Sequence, residues 1–263
     1  MAEIDAYAEV LGAAQRRIWE QVAAAATAVG GELMGGTGVA VQLVHRVSVD
    51  LDVMTPEGFS GADLRDALEE EFGADVEVLN LGSHVCQAMI HGVHVDLISE
   101  APGSPFAPNG VDHIAEGVSV CGMPVASLPD LLAAKLSAVA QRDTLRDYLD
   151  VAAIDERTRW KLEDGIGWYC KRYRLAPDTP MVNVLLQRLS EGDAAPVDPL
   201  MESLRQPVVS HLNERAATLA VHSTRRRLGE KGNGKPIIPD TQPKILKPPV
   251  LDPAPKPTTE DDT

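Results

Sequence analysis

Two aspartates stand two positions apart in the apolar stretch SVDLDVM, residues 48–54, shortly after the sequence GGTG at residues 35–38. Side chains alternate between the two faces of a strand, so Ser48, Asp50 and Asp52 share one face and the intervening apolar side chains share the other. Charged side chains are rarely buried unless they are paired or bind a metal. We therefore expect these carboxylates to bind a positively charged group.

A third aspartate lies in the stretch VHVDLIS, which also alternates and puts His94 and Asp96 on one face. If the two strands are neighbours, three carboxylates converge, and their mutual repulsion requires a cation. Oxygen-only ligands suit Mg²⁺ or Mn²⁺, with substrate phosphates completing the coordination shell. The sequence thus predicts a metal site formed by Asp50, Asp52 and Asp96.

The GGTG sequence is a predicted phosphate-binding element beside this site. Gly35 and Gly36 let the backbone approach a ligand closely, N–H groups at the start of a helix bind anions, and Thr37 adds a hydroxyl. Such an element next to metal-binding carboxylates is typical of phosphoryl or nucleotidyl transfer. Ser48 belongs to the same predicted nucleotide-binding set, where we favour a hydrogen-bonding role for its hydroxyl.

A lysine, Lys135, interrupts the apolar helix LLAAKLSAVA, and Arg142 lies seven positions later, on the same helical face. The lysine either extends its ammonium to solvent or binds nucleotide phosphates. Asp147 and Asp150 follow in RDYLD, and one interpretation is a solvated helix face on which Arg146 is their ion-pair partner.

Arg46 has two possible roles, since it can pair with a carboxylate or bind a phosphate. Zinc binding by the histidines near Cys86 is disfavoured, because their spacing matches no standard structural site. Basic and aromatic residues alternate in RTRWK and CKRYR, where the aromatic rings either stack on RNA ends or belong to the core.

The stretch GGTGVAVQLVHRVSVDLDV resembles the first motif of the AbiEii/AbiGii-type nucleotidyltransferase toxins, within the DNA polymerase β-like nucleotidyltransferase superfamily. The stretch LPDLLAAKLSAVAQRDTLRDYLDVAAI resembles the lysine- and aspartate-bearing helical motifs of that family. The resemblance covers roughly residues 30–155. It departs from the superfamily at Thr37, where serine is usual, but threonine keeps the hydroxyl.

The resemblance implies an enzyme that takes a nucleoside triphosphate, releases pyrophosphate and attaches the nucleotide to an acceptor. In relatives the acceptor can be the 3′ end of tRNA, which blocks translation, and an antitoxin accompanies the toxin. The predicted catalytic residues are Asp50, Asp52, Asp96, Lys135 and Asp147. The predicted nucleotide-binding residues are Gly35, Gly36, Thr37, Ser48, Lys135 and Arg142.

Two other functions remain open at this point. The same chemistry can act on a small molecule or on a protein hydroxyl instead of tRNA. A catalytically silent binding protein is the non-enzyme alternative, and the intact GGT, DxD and Asp96 set argues against it.

The elements that must position these residues indicate an α+β protein with a flexible tail. We predict an N-terminal nucleotidyltransferase domain over 1–126, with a small mixed sheet flanked by helices, a helical domain over 127–228 and a proline-rich tail over 229–263. A helix is expected over 4–28, and a strand or hairpin in GVSVCGMPVASL. Ser127 is the expected N-cap of the helix that carries Lys135.

Composition limits the partners and the compartment. The formal net charge of −15 argues against nonspecific wrapping of nucleic acid, so any such contact is local or involves a metal. Three widely spaced cysteines fit a reducing cytoplasm. No run of about 18 apolar residues is present and the acidic start does not resemble a signal peptide, so we expect no membrane association.

Overall fold

A computed structural model describes residues 3–142, 144–176, 179–191 and 202–227. The described residues form a seven-stranded sheet. Its strands are β1 (Glu32–Leu33), β2 (Asp50–Thr55), β3 (Glu77–Leu81), β4 (Val85–Ile90), β5 (Val93–Ser99), β6 (Val118–Val120) and β7 (Met123–Val125). The predicted tail over 229–263 lies outside the described residues.

The helices in the described ranges begin with a 3-10 helix over Ile4–Tyr7, and a second short 3-10 helix follows at Gly73–Asp75. The α-helices are α1 (Ala13–Ala28), α2 (Gly35–Leu43), α3 (Gly61–Phe72), α4 (Leu128–Gln141), α5 (Leu145–Arg157), α6 (Leu162–Arg172), α7 (Pro180–Glu191) and α8 (Glu202–Arg227). No described helix is both long enough and apolar enough to cross a membrane.

The sheet is mixed, with the strand order β3-β4-β5-β2-β1-β7-β6. β2 runs parallel to β5 and antiparallel to β1, and β1 runs parallel to β7. The hairpins β3-β4, β4-β5 and β6-β7 are antiparallel. This mixed sheet with flanking helices confirms the α+β class and the small mixed sheet that the sequence predicts.

Two apolar clusters hold the helices and the sheet together. The first lies between the sheet and α1 and α3, and it includes Trp19, Leu51 and Val53. The second consists mainly of residues from α4 to α8, and it also takes in Met34 and Val39 at α2. Since α2 contributes to the helical cluster, the start of α2 is held against the sheet on one side and the later helices on the other. The proposed domain boundaries stay a prediction.

The N-terminal helix differs from the expectation. A single helix over 4–28 is wrong, because the chain leaves helical geometry before Gly12, whose backbone is extended and precedes α1. Leu11 instead forms a β-bridge with Ser48, and the Ser48 N–H donates to the Val10 carbonyl at 3.1 Å. The interruption thus supports the segment that leads into β2.

Helix α4 begins as the sequence indicates. The Ser127 hydroxyl accepts a hydrogen bond from the Asp130 N–H, as expected for an N-cap. The Asp130 carboxylate turns back to Ser127 Oγ, 2.5 Å away, and accepts the Ile114 and Ala115 N–H groups. Asp130 therefore fixes the first turn of α4 to the segment that precedes β6.

A buried arginine joins three distant parts of the chain. Arg172, at the end of α6, lies 2.7 Å from Asp130 through Nη1 and 2.6 Å from Glu100, just after β5, through Nη2. All three side chains are buried. Burial raises the pKa of Glu100, although Arg172 acts in the opposite direction. This network ties the sheet to α4 and α6.

Arg172→Met should lower the free energy of unfolding by about 3–5 kcal/mol, because it leaves the Glu100 and Asp130 carboxylates buried without their cation. Denaturant unfolding followed by circular dichroism measures the change. Arg174→Met is the matched control, since Arg174 pairs with Asp112 at the surface and should change stability far less. Equal effects of the two substitutions would contradict the assigned role of the buried network.

Candidate active site

Strands β2 and β5 bring the predicted carboxylates together. The two strands are parallel neighbours, with Asp52 opposite Asp96 and Asp50 opposite His94. The sequence-based condition that these strands are adjacent is therefore met. Asp50, Asp52 and Asp96 share one face of the sheet beside the start of α2.

Asp96 is held from two sides. Gln87 Nε2, on the neighbouring strand β4, donates to Asp96 Oδ2 at 2.8 Å. His94 Nδ1 lies 3.0 Å from Asp96 Oδ1 without the alignment of a hydrogen bond, and this buried Oδ1 has no hydrogen-bond partner among the described residues. The contact agrees with the prediction that His94 and Asp96 share one face of the strand. One Asp96 oxygen therefore keeps its capacity to accept a ligand.

The carboxylates interact strongly with one another. Burial, followed by the like charges of Asp96 and Asp50, raises the pKa of Asp52 to about 6, although Lys135 acts in the opposite direction. Burial also raises the pKa of Asp96, against the lowering effect of the Gln87 hydrogen bond. A cation between these groups would remove the repulsion that raises both pKa values.

The donor chemistry fits a hard divalent cation, since the three aspartates offer oxygen atoms alone and one buried oxygen lacks a partner. Across the described ranges, however, no three His, Cys, Asp or Glu side chains already form a metal-binding cluster. The same finding applies to the histidines near Cys86.

Helix α2 begins at the GGTG sequence itself, so these residues form its first turn. Gly35 has φ +61°, and a Cβ there would overlap the Asp52 carboxylate. A Cβ at Gly36 would overlap the Arg46 guanidinium and come within 3.2 Å of Ser48 Oγ. A carboxylate from β2 and a guanidinium from the loop that precedes β2 thus lie directly against these two glycines.

The side chains of Thr37, in this turn, and of Ser48, before β2, are buried and contact each other. The fully buried Thr37 hydroxyl donates to the Asp50 carbonyl oxygen, and it can accept a hydrogen bond from the Ser48 hydroxyl, whose Oγ lies 2.8 Å away. These bonds fix the first turn of α2 to the residues that precede the DxD pair. They agree with the hydrogen-bonding role favoured for Ser48.

Lys135 contacts two carboxylates from the next helix. Its side chain is 8% exposed, and Nζ lies 3.0 Å from Asp147 Oδ1 and 2.7 Å from Asp150 Oδ2. Burial lowers the pKa of Lys135, but Asp150 and Asp147 outweigh burial, so that the pKa is raised. The interpretation that Lys135 extends its ammonium into solvent is therefore wrong. The solvated interpretation of Asp147 and Asp150 is also wrong, because both are buried.

Asp150 is also the partner of Arg46 and His45 in the loop after α2. Arg46 binds it through two bonds, Nε to Oδ1 at 2.7 Å and Nη2 to Oδ2 at 2.8 Å, and His45 Nε2 lies 2.7 Å from Oδ1. Burial raises the pKa of Asp150, but Lys135, His45 and Arg46 outweigh burial and hold it well below the usual range. Of the two roles considered for Arg46, the carboxylate pair is the one observed.

Two arginines flank the carboxylates at the protein surface. Arg142 is largely exposed, and its Nε donates to Asp147 Oδ2 at 2.8 Å. Arg146, in the first turn of α5, has Nη1 4.0 Å from Asp50 Oδ2, and both side chains are partly exposed. The approach to the acidic face therefore carries local positive charge in a chain whose net charge is −15.

The aromatic residues near the basic clusters belong mainly to the helical core. Trp160 and Trp168 meet edge to face, with ring centroids 5.1 Å apart, and both pack against the second apolar cluster. Tyr169 is buried in that cluster. These contacts favour the core interpretation over stacking on RNA ends.

The sequence pattern did not indicate a place in the site for His45 or Asp150. His45 and Arg46 follow directly on α2, and Asp150 lies three positions after Asp147, on the same helical face. That spacing was the available signal for Asp150. No sequence pattern, however, showed that this face of α5 packs against the loop after α2.

Comparisons with known proteins provide the family. A family model described as "Nucleotidyl transferase AbiEii toxin, Type IV TA system" matches residues 32–210, which is more than half of the chain. No curated protein matched the sequence. A solved structure entitled "Solution Structure of Antibiotic-Resistance Factor ANT(2'')-Ia Reveals Substrate-Regulated Conformation Dynamics" is similar at 16% identity, covering 80% of this chain and 96% of that chain, with a TM-score of 0.37.

Asp52→Asn should raise the thermal stability of the metal-free protein near pH 7.5 and have little effect near pH 4. The folded-state pKa of Asp52 is about 6, above its ordinary value of 3.8, so ionisation penalises the folded state increasingly as the pH rises through this window. We expect a gain of up to about 3 kcal/mol at pH 7.5.

Thermal melts in a chelating buffer at both pH values measure this effect, and Asp66→Asn on the exposed face of α3 controls for the lower net charge. A gain for Asp52→Asn that is equal at both pH values would contradict the assigned burial and repulsion.

Proposed function

The chain belongs to the AbiEii family of nucleotidyltransferase toxins of toxin–antitoxin systems, and we propose that it transfers a nucleoside monophosphate from a nucleoside triphosphate to the 3′ end of tRNA. The proposal includes dependence on Mg²⁺ or Mn²⁺ and a cognate antitoxin that counteracts the toxin. Such a transfer would block translation, because a modified 3′ end cannot accept an amino acid. A protein with this role would act in the cytoplasm.

One observation supports the chemistry more than any other. Asp52 and Asp96 lie directly opposite each other on parallel strands, and Asp52 also lies against Gly35 in the turn that begins α2. Acidic ligands and backbone N–H groups are thereby adjacent, and this combination suits a triphosphate with its cation. In the proposed site, Asp50, Asp52 and Asp96 hold the divalent cation, which supplies charge neutralisation at the phosphates.

The protein's own groups complete the proposed reaction. The first turn of α2, with Gly35, Gly36 and Thr37, receives the triphosphate, and the Lys135 ammonium compensates its negative charge. The acceptor hydroxyl oxygen bonds to the α-phosphorus, the bond from that phosphorus to the bridging oxygen breaks, and pyrophosphate leaves. Asp96 accepts the hydroxyl proton, because one of its oxygens has no hydrogen-bond partner among the described residues.

The surface charge supports a phosphate-rich acceptor. Arg142 is exposed and pairs with Asp147, and the partly exposed Arg146 lies 4.0 Å from Asp50, although the chain as a whole is acidic. Local positive charge attracts a nucleic-acid end where the net charge of the protein would repel it. Asp147 binds the Arg142 guanidinium and so orients it toward this approach.

Incubation with labelled nucleoside triphosphates, Mg²⁺ and total RNA should give labelled tRNA, and prior oxidation of the tRNA 3′ terminus should abolish the label. Asp50→Asn and Asp52→Asn should each reduce transfer by about 100-fold or more, because charge stabilisation and positioning at the phosphates are lost.

Cell extract without RNA and a panel of small hydroxyl compounds serve as parallel acceptors. Label in a protein or a small molecule, with none in tRNA, would refute the tRNA assignment and keep the enzyme class. Equal transfer with and without a chelator would refute the metal dependence.

Lys135→Ala should weaken nucleotide use by about 10-fold or more, since it removes a positive charge near the proposed triphosphate. Lys135→Arg should restore only part of the activity, because a guanidinium differs in shape from an ammonium held between two carboxylates. Initial rates against triphosphate concentration measure both effects.

Lys171→Ala is the matched control, because Lys171 is an exposed lysine on α6. Lys135→Ala with the same rates as the control across that titration would show that Lys135 has a structural role alone.

A further inference from the structure

Asp150 is the common partner of three basic side chains that come from two different parts of the chain. We propose that Asp150 is a positioning residue, which holds Arg46 against the first turn of α2 and fixes the Lys135 ammonium on α4, and thereby sets the affinity of the site for the nucleotide. The inference rests on the proposed function of this site. Asp150 itself is fully buried, so it acts through its partners and not by touching the substrate.

The contact between Asp150 and Arg46 supports the first proposed role, which is to hold Arg46 against α2. Asp150 accepts two parallel bonds from the guanidinium, a geometry that fixes its plane as well as its distance. The same guanidinium lies against Gly36, where even a Cβ would overlap it. Arg46 therefore adds a fixed positive charge below the helix start that receives the triphosphate, where the helix dipole also favours anions.

The contact between Asp150 and Lys135 supports the second proposed role, which is to fix the Lys135 ammonium. An ammonium has three N–H donors, and Asp147 and Asp150 lie within ion-pair distance of the Lys135 nitrogen. Two carboxylates thus define its position and leave one donor direction for a further anion. Lys135 lies near enough to Asp52 to lower the pKa of that carboxyl, so this ammonium borders the acidic face.

Charge balance shows why Asp150 is needed. Lys135, Arg46 and Arg142 bring three positive charges, and Asp147 and Asp150 bring two negative charges. Lys135 and Arg46 repel each other, since Arg46 acts to lower the pKa of Lys135. Without the Asp150 carboxylate, the two cations lose their shared partner and separate, and Arg46 no longer has a fixed position against the first turn of α2.

Asp150→Asn tests the proposal, with Asp155→Asn as matched control. Asp155 lies on the same helix and is also buried, but its partners are the Leu162 N–H, His211 and Arg215, away from the carboxylate face. Both variants lose one buried carboxylate of α5. Thermal melts show whether each variant is folded under the assay conditions.

The first readout is the split between KM and kcat for the nucleoside triphosphate. Asp150→Asn should raise KM by about tenfold or more, with a smaller change in kcat, since it displaces charge that binds the triphosphate. Asp155→Asn should leave KM unchanged. A structural role alone would lower the amount of active enzyme in both variants without moving KM.

The second readout does not need activity. Acetic anhydride modifies unprotonated amines, and mass spectrometry of peptides reports the rate at Lys135. Asp150→Asn should speed this modification by about threefold or more, because the lysine loses a carboxylate that favours its protonated form. An unchanged rate would show that Asp150 does not hold Lys135, and would overturn the proposal.

If Asp150→Asn does not fold, Arg46→Lys tests the proposal instead. This substitution keeps the positive charge and removes the two parallel bonds to Asp150. It should raise KM as Asp150→Asn does, and an unchanged KM overturns the proposal. If the wild-type chain transfers no nucleotide to any acceptor, the proposed function fails. The effect on affinity then falls with it, while the modification rate still decides whether Asp150 holds Lys135.

Discussion

A carboxylate that is removed from water must be matched by cations, and Asp150 is such a carboxylate. Breaking a buried ion pair is costly, because the remaining charge stays in a medium that solvates it poorly. Asp150 therefore requires Arg46 and Lys135 at short distance, with His45 as a third neighbour. Those partners come from the loop after α2 and from α4, so one buried charge fixes how α5 packs on both.

The glycine pair depends on that arrangement. The Arg46 side chain, held by Asp150, occupies the space where a side chain at Gly36 would begin, and Asp52 occupies the corresponding space at Gly35. A glycine-rich turn is commonly explained by the approach of a ligand to the backbone. Here the protein's own charged groups already occupy the space beside both glycines, so this packing alone accounts for the glycine pair.

The strands of the site could be predicted because their period of two is visible in the sequence, and the alternation around Asp50, Asp52 and Asp96 predicted a shared face. The break before Gly12 could not be predicted, since Leu11 leaves the helix to pair with Ser48, a residue far along the chain. The environment of Asp150 could not be predicted either. A polar helical face has the same sequence pattern whether it contacts solvent or a buried arginine. Tertiary packing decides both cases.

Helix α4 shows how buried charges can position a reactive group. Its first turn is fixed by Asp130, which binds Arg172, and its middle is fixed by Lys135, which binds Asp147 and Asp150. The two points are five residues apart, or about 7.5 Å along a helix axis. A helix that is held at one point can slide or rotate. A helix that is held at two points by buried ion pairs cannot move in this way without breaking one of the pairs. The distance between the Lys135 ammonium and the acidic face of β2 is thus set by the fold and not by the flexible lysine side chain.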